Sequence, residues 1–540
     1  MQVERTPSRS ARASASLSPV GPRHLISNRS DVVERDGRLA LLNLTATPHE
    51  AMVADLQFIR NVLDGAEITY LLIRGDDARP VLAIDAARYT EFTTAFVAAA
   101  ATEPFYADTM RPKDLTRRGA SLLAAEGRLS SANNPKLLRL YRPRVDNAAQ
   151  APYGETFAVQ IELWTRAGDE MLVPVENALT RRSLPASEII ETTVERFGQT
   201  WPTIQHMFDP LATDVDFEID IVFSWVDGTD KEWQRARAKR MASYVVGEGD
   251  DNEARYRQID ELRYALRSVY LYAPWIRNIY IATDSPRPAW LAEHPRVHIM
   301  RSEDFFQDTS VLPTHNSQAV ESQIHHIPGL SEYFLYSNDD MFFGRPVSPD
   351  MFFSPGGLTK FIEASTRIGL GENNAYRSGF ENAARVNRRL LHERFGRVTT
   401  RHLEHTAAPL RKSVVEELER TFPEDFERTA ASRFRSSTDI SVTNSLYHYY
   451  ALLTGRAVTK VGAKVLYIDT TTRSGLKRMK AMLGKRRYDF FCLNDGSFPE
   501  VTPDERARKM RTFLDSYFAT PAPWERTVAT QQLPLEQSAG

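Results

Sequence analysis

Residues 219–230 read IDIVFSWVDGTD, and this stretch decides the fold of the chain. The near-continuous apolar run over 219–226 is typical of a strand that is buried on both faces in a parallel sheet. Asp227 and Gly228 then open a polar turn that ends the strand. The sequence therefore predicts a central parallel strand that carries an acidic turn at its carboxyl end.

Helices and strands alternate downstream of this stretch. Apolar residues at helical spacing predict helices over 259–272 and 317–326. Apolar runs predict further strands at 278–282 and 333–337. This alternation is typical of an α/β fold with a Rossmann-like parallel sheet, because parallel strands need crossover connections.

Each predicted strand ends in acidic residues, namely Asp227, Asp284 and the pair Asp339 and Asp340, which follow Asn338. Ligands of open α/β sheets bind outside the carboxyl ends of the strands, so we expect these side chains to share one edge. Carboxylates there suit Mg²⁺ or Mn²⁺, which would bridge the phosphates of a nucleotide-sugar. An aspartate after a strand is more often a turn residue or a helix cap, and only the convergence of several favours a metal site.

Other side chains fit the same chemistry. Asp495 lies in a second acidic turn, within FFCLNDG at 490–496. Arg263 and Arg267 are four residues apart on one helical face, so they could grip phosphate or simply form a solvated face. His326 ends a predicted helix, where it could cap the helix or act as a general base.

The composition of the chain argues against several classes of protein. The chain has 540 residues with 68 basic and 70 acidic side chains, which argues against nucleic-acid binding through bulk positive charge. Its one cysteine, Cys492, excludes an intramolecular disulfide and is compatible with a reducing cytoplasm. No apolar run approaches the length of a transmembrane helix.

Four segments of different character are predicted. Residues 1–25 form a disordered tail whose arginines could touch an anionic membrane surface, and residues 526–540 form a flexible tail. Residues 39–207 form a smaller α/β accessory domain without a recognisable catalytic constellation. Residues 217–525 form the catalytic domain.

Four blocks of the chain resemble the conserved regions of the Stealth family: 219–230, 260–291, 312–343, and 491–495 with 513–514 and 521–525. The layout is similar to actinobacterial exopolysaccharide phosphotransferases. The resemblance implies transfer of hexose-1-phosphate, or N-acetylhexosamine-1-phosphate, from a UDP-sugar to a hydroxyl of a growing exopolysaccharide or capsular glycan, releasing UMP. It also implies a divalent cation and a location in the bacterial cytoplasm. Within the cytoplasm, the protein could be free or attached to the inner face of the membrane.

The resemblance, combined with the strand-end pattern, assigns roles residue by residue. Catalysis is expected of His405, Arg435, Glu261, Asp284 and His326. Donor and phosphate binding is expected of Asp227, Gly228, Arg263, Arg267 and Asn338, and metal binding of Asp339, Asp340 and Asp495. His402 and Arg433 are alternatives to His405 and Arg435 because the alignment is less distinctive there.

The expected mechanism is in-line phosphoryl transfer with His405 or His326 accepting the proton of the acceptor hydroxyl. Two alternatives stay open. A metal-dependent glycosyltransferase would use the same donor but release UDP, and a non-catalytic glycan-binding protein would bind without turnover.

Overall fold

The structure is a computed structural model that describes residues 22–526 with gaps. The gaps are 36, 44, 76–78, 112–113, 130–134, 146–153, 229–234, 236–258, 461, 485 and 497–498; for residues 111 and 114–120 only the backbone is described. The chain divides into two compact units, whose main boundary lies between Asp209 and Pro210.

The first unit packs helices against a mixed sheet. Its described helices are α1 (Pro22–Ser27), α2 (Pro48–Gly65) and α3 (Tyr89–Ala99). Its described strands are β1 (Val32–Arg35), β2 (Arg38–Leu42), β3 (Tyr70–Ile73), β4 (Val81–Asp85), β5 (Tyr106–Arg111), β6 (Asp114–Leu123), β7 (Leu137–Tyr141), β8 (Arg144–Val145), β9 (Val159–Ala167), β10 (Glu170–Leu172), β11 (Ser183–Pro185), β12 (Glu191–Arg196) and β13 (Gln199–Ile204). The main sheet has the order β11-β10-β9-β7-β5-β6, with β4 pairing β9 and β3.

The core of the first unit lies between its two longer helices and this sheet. Leu56 and Ile59 of α2 and Phe96 of α3 share one buried cluster with Leu138 of β7 and Ile161 of β9. The predicted α/β class of this region is confirmed. Residues 22–25, predicted as part of a tail, lie in α1 instead.

The second unit contains the predicted parallel sheet. Its described strands are β14 (Ile219–Ser224), β15 (Ile279–Ala282), β16 (Val297–Met300), β17 (Tyr333–Asn338), β18 (Met341–Phe343), β19 (Thr359–Phe361), β20 (Glu363–Arg367), β21 (Arg401–Leu403), β22 (Ala408–Arg411), β23 (Ala457–Thr459), β24 (Val465–Asp469) and β25 (Phe490–Asn494). Its described helices are α4 (Glu261–Tyr272), α5 (Ser302–Phe305), α6 (Ser317–Glu321), α7 (Gly379–Phe395), α8 (Lys412–Thr421), α9 (Pro423–Ala431), α10 (Tyr447–Leu453), α11 (Arg473–Ala481) and α12 (Pro503–Tyr517).

The central sheet has the order β16-β15-β14-β17-β22. The first four strands are parallel, and β22 adds an antiparallel edge. Ile221, Val222 and Phe223 of β14 are completely buried because helices and loops cover both faces of the sheet. The predicted α/β class with a Rossmann-like parallel sheet is confirmed.

One charged residue is buried inside the central strand. Asp220 of β14 accepts hydrogen bonds from the Arg277 guanidinium at 2.9 and 2.6 Å. It also accepts the backbone N–H groups of Asn278 and Ser331 at 3.0 and 2.8 Å. These partners precede β15 and β17, so Asp220 ties together the strand starts, which we call the starting edge of the sheet. The strand ends form the carboxyl edge.

A second sheet, β18-β25-β24, lies directly after the acidic turn of β17. Strand β18 pairs antiparallel with β25, and β25 runs parallel to β24. This pairing carries the turn after β25 to the turn after β17, although the two are far apart in sequence.

The predicted helix over 317–326 is shorter in the structure. Helix α6 covers Ser317–Glu321, and a separate 3-10 turn covers Ile324–His326. The Ser322 hydroxyl donates to the Ala319 carbonyl at 2.8 Å, a local bond of the kind that competes with regular helix. Within the described ranges, no helix combines the length and apolarity needed to cross a bilayer.

Candidate active site

The turns at the carboxyl edge are held next to each other by strand pairing. Ser224 of β14 lies opposite Asn338 of β17 in the parallel register. The Asp227 N–H donates to the Ser285 hydroxyl at 2.8 Å, which joins the turn after β14 to the turn after β15. Gly228 is buried beside Asp227, and the rest of that predicted turn, 229–230, lies outside the described residues.

Four acidic side chains, Glu261, Asp339, Asp340 and Asp495, interact electrostatically at this edge, and we call them the acid cluster. Asp339 and Asp340 form the tight turn between β17 and β18. Asp495 follows β25, which binds that turn through the Leu493 N–H and the Asp340 carbonyl at 3.0 Å. Glu261 is the first residue of α4. The structure thus brings together the three predicted metal ligands and one predicted catalytic acid.

The carboxylates of the acid cluster repel one another, and their pKa values are raised. Burial raises the pKa of Asp339 well above its usual range, and the charges of Glu261, Asp340 and Asp495 raise it further. Burial also raises the pKa of Glu261 to about 7. Cys492, whose thiol donates to Asp340 Oδ2 at 3.4 Å, has its pKa raised by burial and by the same carboxylates. The cluster therefore holds more negative charge than its surroundings stabilise.

Arg506 of α12 is a cluster neighbour that the sequence reasoning missed. It forms an ion pair with Asp495, and its Nε donates to the Thr470 hydroxyl at 2.8 Å. No motif marks this arginine in the sequence, and only folding carries α12 to β25. The carboxylates of the acid cluster are hard oxygen donors, a ligand type that fits Mg²⁺ or Mn²⁺.

Asp284 ends β15 at the same edge but has a local partner. Its two carboxylate oxygens accept the Ser302 N–H at 2.8 Å and the Ser302 hydroxyl at 2.7 Å. These bonds hold the start of α5 against the end of β15. The side chain is exposed, so its predicted catalytic role stays a prediction.

Arg263 and Arg267 both bind the C-terminal segment. Arg263 Nε donates to Glu525 at 2.5 Å, and Arg267 donates to both Glu525 oxygens at 2.6 and 2.7 Å. Arg267 also donates to the Phe518 carbonyl at 2.7 Å. These bonds anchor that segment to α4, and the phosphate-binding role of the two arginines stays a prediction.

His405 lies among aromatic rings beside the second sheet. Its ring centroid is 5.3 Å from that of Tyr467 on β24 and 6.1 Å from that of Phe380 on α7. Strand β24 neighbours β25, which carries Cys492 and the Asp495 turn. His405 thus packs beside the sheet that carries the Asp495 turn, and its catalytic role stays a prediction.

His402, the alternative to His405, is buried and has fixed partners. Its ring stacks on Phe380 at a centroid distance of 4.5 Å, and its Nε2 lies 3.5 Å from Glu381. Burial lowers its pKa, and the Glu381 carboxylate offsets that only in part. Its packing favours His405 as the functional histidine of the pair.

Arg435 lies near the end of β17, and its side chain packs against Gly379. Its Nη2 donates to the Ser317 hydroxyl at 3.0 Å, and its charge acts on Tyr336 of β17. A Cβ at Gly379 would lie 2.7 to 2.8 Å from Arg435 side-chain carbons, so the start of α7 needs glycine here. Arg433, the alternative, is exposed.

His326 lies in the 3-10 turn Ile324–His326, which precedes β17. Its Nε2 contacts Glu419 of α8 at 3.2 Å. Gly329, three residues later, accepts a hydrogen bond from Arg277 at the start of β15. The described partner of His326 is therefore Glu419, and its role as a base stays a prediction.

Comparison with known proteins identifies relatives. The models of the Stealth protein conserved regions 1, 2, 3 and 4 match residues 217–245, 255–361, 404–452 and 481–535. Exopolysaccharide phosphotransferase CpsY of Mycobacterium tuberculosis (strain H37Rv) is 59% identical over 92% of this chain and 93% of its own. An exopolysaccharide phosphotransferase of Nocardia farcinica is 55% identical over 91% of this chain and 90% of its own.

Matches among solved structures include a galactosyltransferase. The galactosyltransferase LgtC, in complex with donor and acceptor sugar analogs, aligns with 54% of this chain and 95% of its own. Its identity is 10% and its TM-score 0.27, a likeness too low to support an argument.

Proposed function

Because this chain belongs to the Stealth family, we propose that it transfers hexose-1-phosphate, or N-acetylhexosamine-1-phosphate, from a UDP-sugar. The acceptor is a hydroxyl of a growing exopolysaccharide or capsular glycan, and UMP is released. The observation that supports this most is the acid cluster at the carboxyl edge, where open α/β sheets bind their ligands. Relatives more than half identical over nine-tenths of the chain are named exopolysaccharide phosphotransferases.

Asp339, Asp340 and Asp495 would hold Mg²⁺ or Mn²⁺, with Glu261 beside them. When bound, the cation would neutralise charge on the donor diphosphate. Arg506 forms an ion pair with Asp495, which would hold this ligand in place. The turn between β17 and β18 fixes the other two.

His405 is the proposed general base, which removes the proton of the acceptor hydroxyl as the oxygen attacks phosphorus. A neutral imidazole titrates close to working pH and suits this step. Arg435 is proposed to stabilise negative charge on the transferring phosphoryl group, as guanidinium groups do in other phosphoryl transfers. Asp227, Gly228 and Asn338, on adjoining turns, are proposed to bind the donor.

The proposed enzyme works in the bacterial cytoplasm, where a peripheral contact with the inner face of the membrane would bring it to its glycan. UDP-sugars supply the donor side of this reaction.

The test is incubation of the chain with a panel of UDP-sugars, a glycan acceptor and Mg²⁺ or Mn²⁺, with UMP and UDP separated by chromatography. We expect UMP in the wild type and none with Asp339→Ala. Asp308→Asn is the matched control, because this exposed carboxylate only caps a short turn. Release of UDP instead would favour a glycosyltransferase, and binding without either product would favour a glycan-binding protein.

A further inference from the structure

Three metal-ligating side chains meet where the turn that precedes β17 lies against α8. His325 and His326 end the 3-10 turn Ile324–His326, and Glu419 lies on α8. His325 Nε2 is 3.0 Å from Glu419 Oε2, and His326 Nε2 is 3.2 Å from the same oxygen. Within the described residues this is the one group of three or more such side chains whose donor atoms all lie within 4.8 Å of one another.

These distances match the coordination sphere of zinc. Tetrahedral zinc sites have bonds of about 2.0–2.1 Å to nitrogen and oxygen, so neighbouring ligand atoms lie about 3.3 Å apart. The measured nitrogen–oxygen separations are within about 0.3 Å of that value. The three donors could therefore bind one ion with only small side-chain movement.

We propose that His325, His326 and Glu419 form a second metal site, which takes a zinc-class cation and leaves its fourth position to water. Two imidazoles and one carboxylate are a donor set that zinc uses in proteins. His325 is fully buried, whereas 21% of the side-chain surface of both His326 and Glu419 is exposed. The ion would thus enter from the solvent side.

This site differs from the acid cluster in place and in chemistry. The charges that act on Asp339 come from Glu261, Asp340 and Asp495, whereas those that act on Glu419 come from His325 and His326. Imidazole nitrogen favours zinc, cobalt, nickel and copper, whereas a set of carboxylates alone favours magnesium and manganese. The chain would therefore carry two metals of different class.

The ion would act as a structural link. It would join the turn that precedes β17 to α8, which directly follows the edge strand β22. Binding to the folded chain alone stabilises that chain by mass action. His325 Nδ1 is buried without a hydrogen-bond partner among the described residues, so the outer shell is incomplete. We expect an affinity about 10- to 100-fold below that of a site with a complete outer shell.

The test uses the full chain, stripped with EDTA and titrated with Co²⁺ and Zn²⁺ alone. Tetrahedrally bound Co²⁺ absorbs strongly in the visible range, and we expect this absorption in the wild type and its displacement by Zn²⁺. It should disappear in His326→Gln and Glu419→Gln, which keep hydrogen-bonding capacity. It should persist in Asp340→Asn, which alters the acid cluster, and in His392→Gln, an exposed histidine on α7.

The inference is overturned if the cobalt spectrum is octahedral, or if both site variants bind as the wild type does. The three side chains would then form only a hydrogen-bonded group. X-ray absorption spectroscopy of the zinc-loaded wild type gives an independent answer if the variants fail to fold. Two imidazoles in the first shell support the site, and fewer than two exclude it.

Discussion

The two edges of the same parallel sheet differ in the groups that surround a buried aspartate. At the starting edge, Asp220 receives four hydrogen bonds from Arg277 and two backbone N–H groups. At the carboxyl edge, Asp339 faces other carboxylates, and burial and their charges raise its pKa well above the usual range. Asp220 lies within β14, whereas Asp339 follows the neighbouring strand β17, so the two differ in their surroundings at opposite ends of paired strands.

The two edges differ in what their acidic residues contribute: Asp220 stabilises the fold, whereas the acid cluster is proposed to bind a ligand. Buried charge stabilises a fold only when ions and hydrogen bonds satisfy it, as at Asp220. A cluster of repelling acids destabilises the ligand-free fold and is typical of sites that bind something. The acid cluster should therefore respond to mutation in activity, and the starting edge in stability.

The largest effect is expected for Asp339→Ala. Loss of metal-dependent charge stabilisation amounts to several kcal/mol in the barrier, a rate decrease of about 10³ or more. Initial rates of UMP release measure it, with circular dichroism as the control for folding. Activity within tenfold of the wild type would exclude Asp339 as a metal ligand.

His405→Gln is expected to have the next largest effect. Removing a general base lowers the rate by about 10²–10⁴, whereas His402→Gln should act less because His402 is buried against Phe380. The pH dependence of kcat for both variants distinguishes them, since only loss of the base removes the acidic limb. The reverse order would assign the role to His402.

Asp220→Asn tests the starting edge and should lower the free energy of unfolding by about 1.5–3 kcal/mol, through its hydrogen bonds to a charged group. Asp339→Asn should raise the free energy of unfolding by about 0.5–2 kcal/mol when metal is absent. Urea unfolding in EDTA measures both. Destabilisation by both variants would contradict the contrast between the edges.

A further effect is expected in the pH dependence of stability. The Glu261 pKa is about 7 in the folded chain, whereas its ordinary value is 4.5, and below pH 4.5 the group is protonated in both states. Between pH 4.5 and 7 the unfolded chain loses this proton first, so the free energy of unfolding falls as pH rises. Glu261→Gln should flatten this fall in urea unfolding of the metal-free chain. An unchanged slope would show that Glu261 ionises normally.

The strands and their acidic ends could be predicted from the sequence because both are local. An apolar run over 219–226 can be buried only in a covered sheet, and the residue that follows a strand lies at its end by geometry. The same reasoning placed Asp339 and Asp340 at the carboxyl edge of the sheet. It could not give the orientation of Arg263, because the partner Glu525 is 262 residues away in sequence.

The sequence by itself determined the parallel α/β sheet and which acids lie at its carboxyl edge, since strand periodicity and strand ends are short-range properties. The resemblance had assigned Glu261 and Asp495 to the site, but only the tertiary structure decided that Arg506 pairs with Asp495 and that His326 contacts Glu419. Those neighbours come from elements distant in the chain, and side-chain partners at such separations follow from packing, which local sequence does not encode.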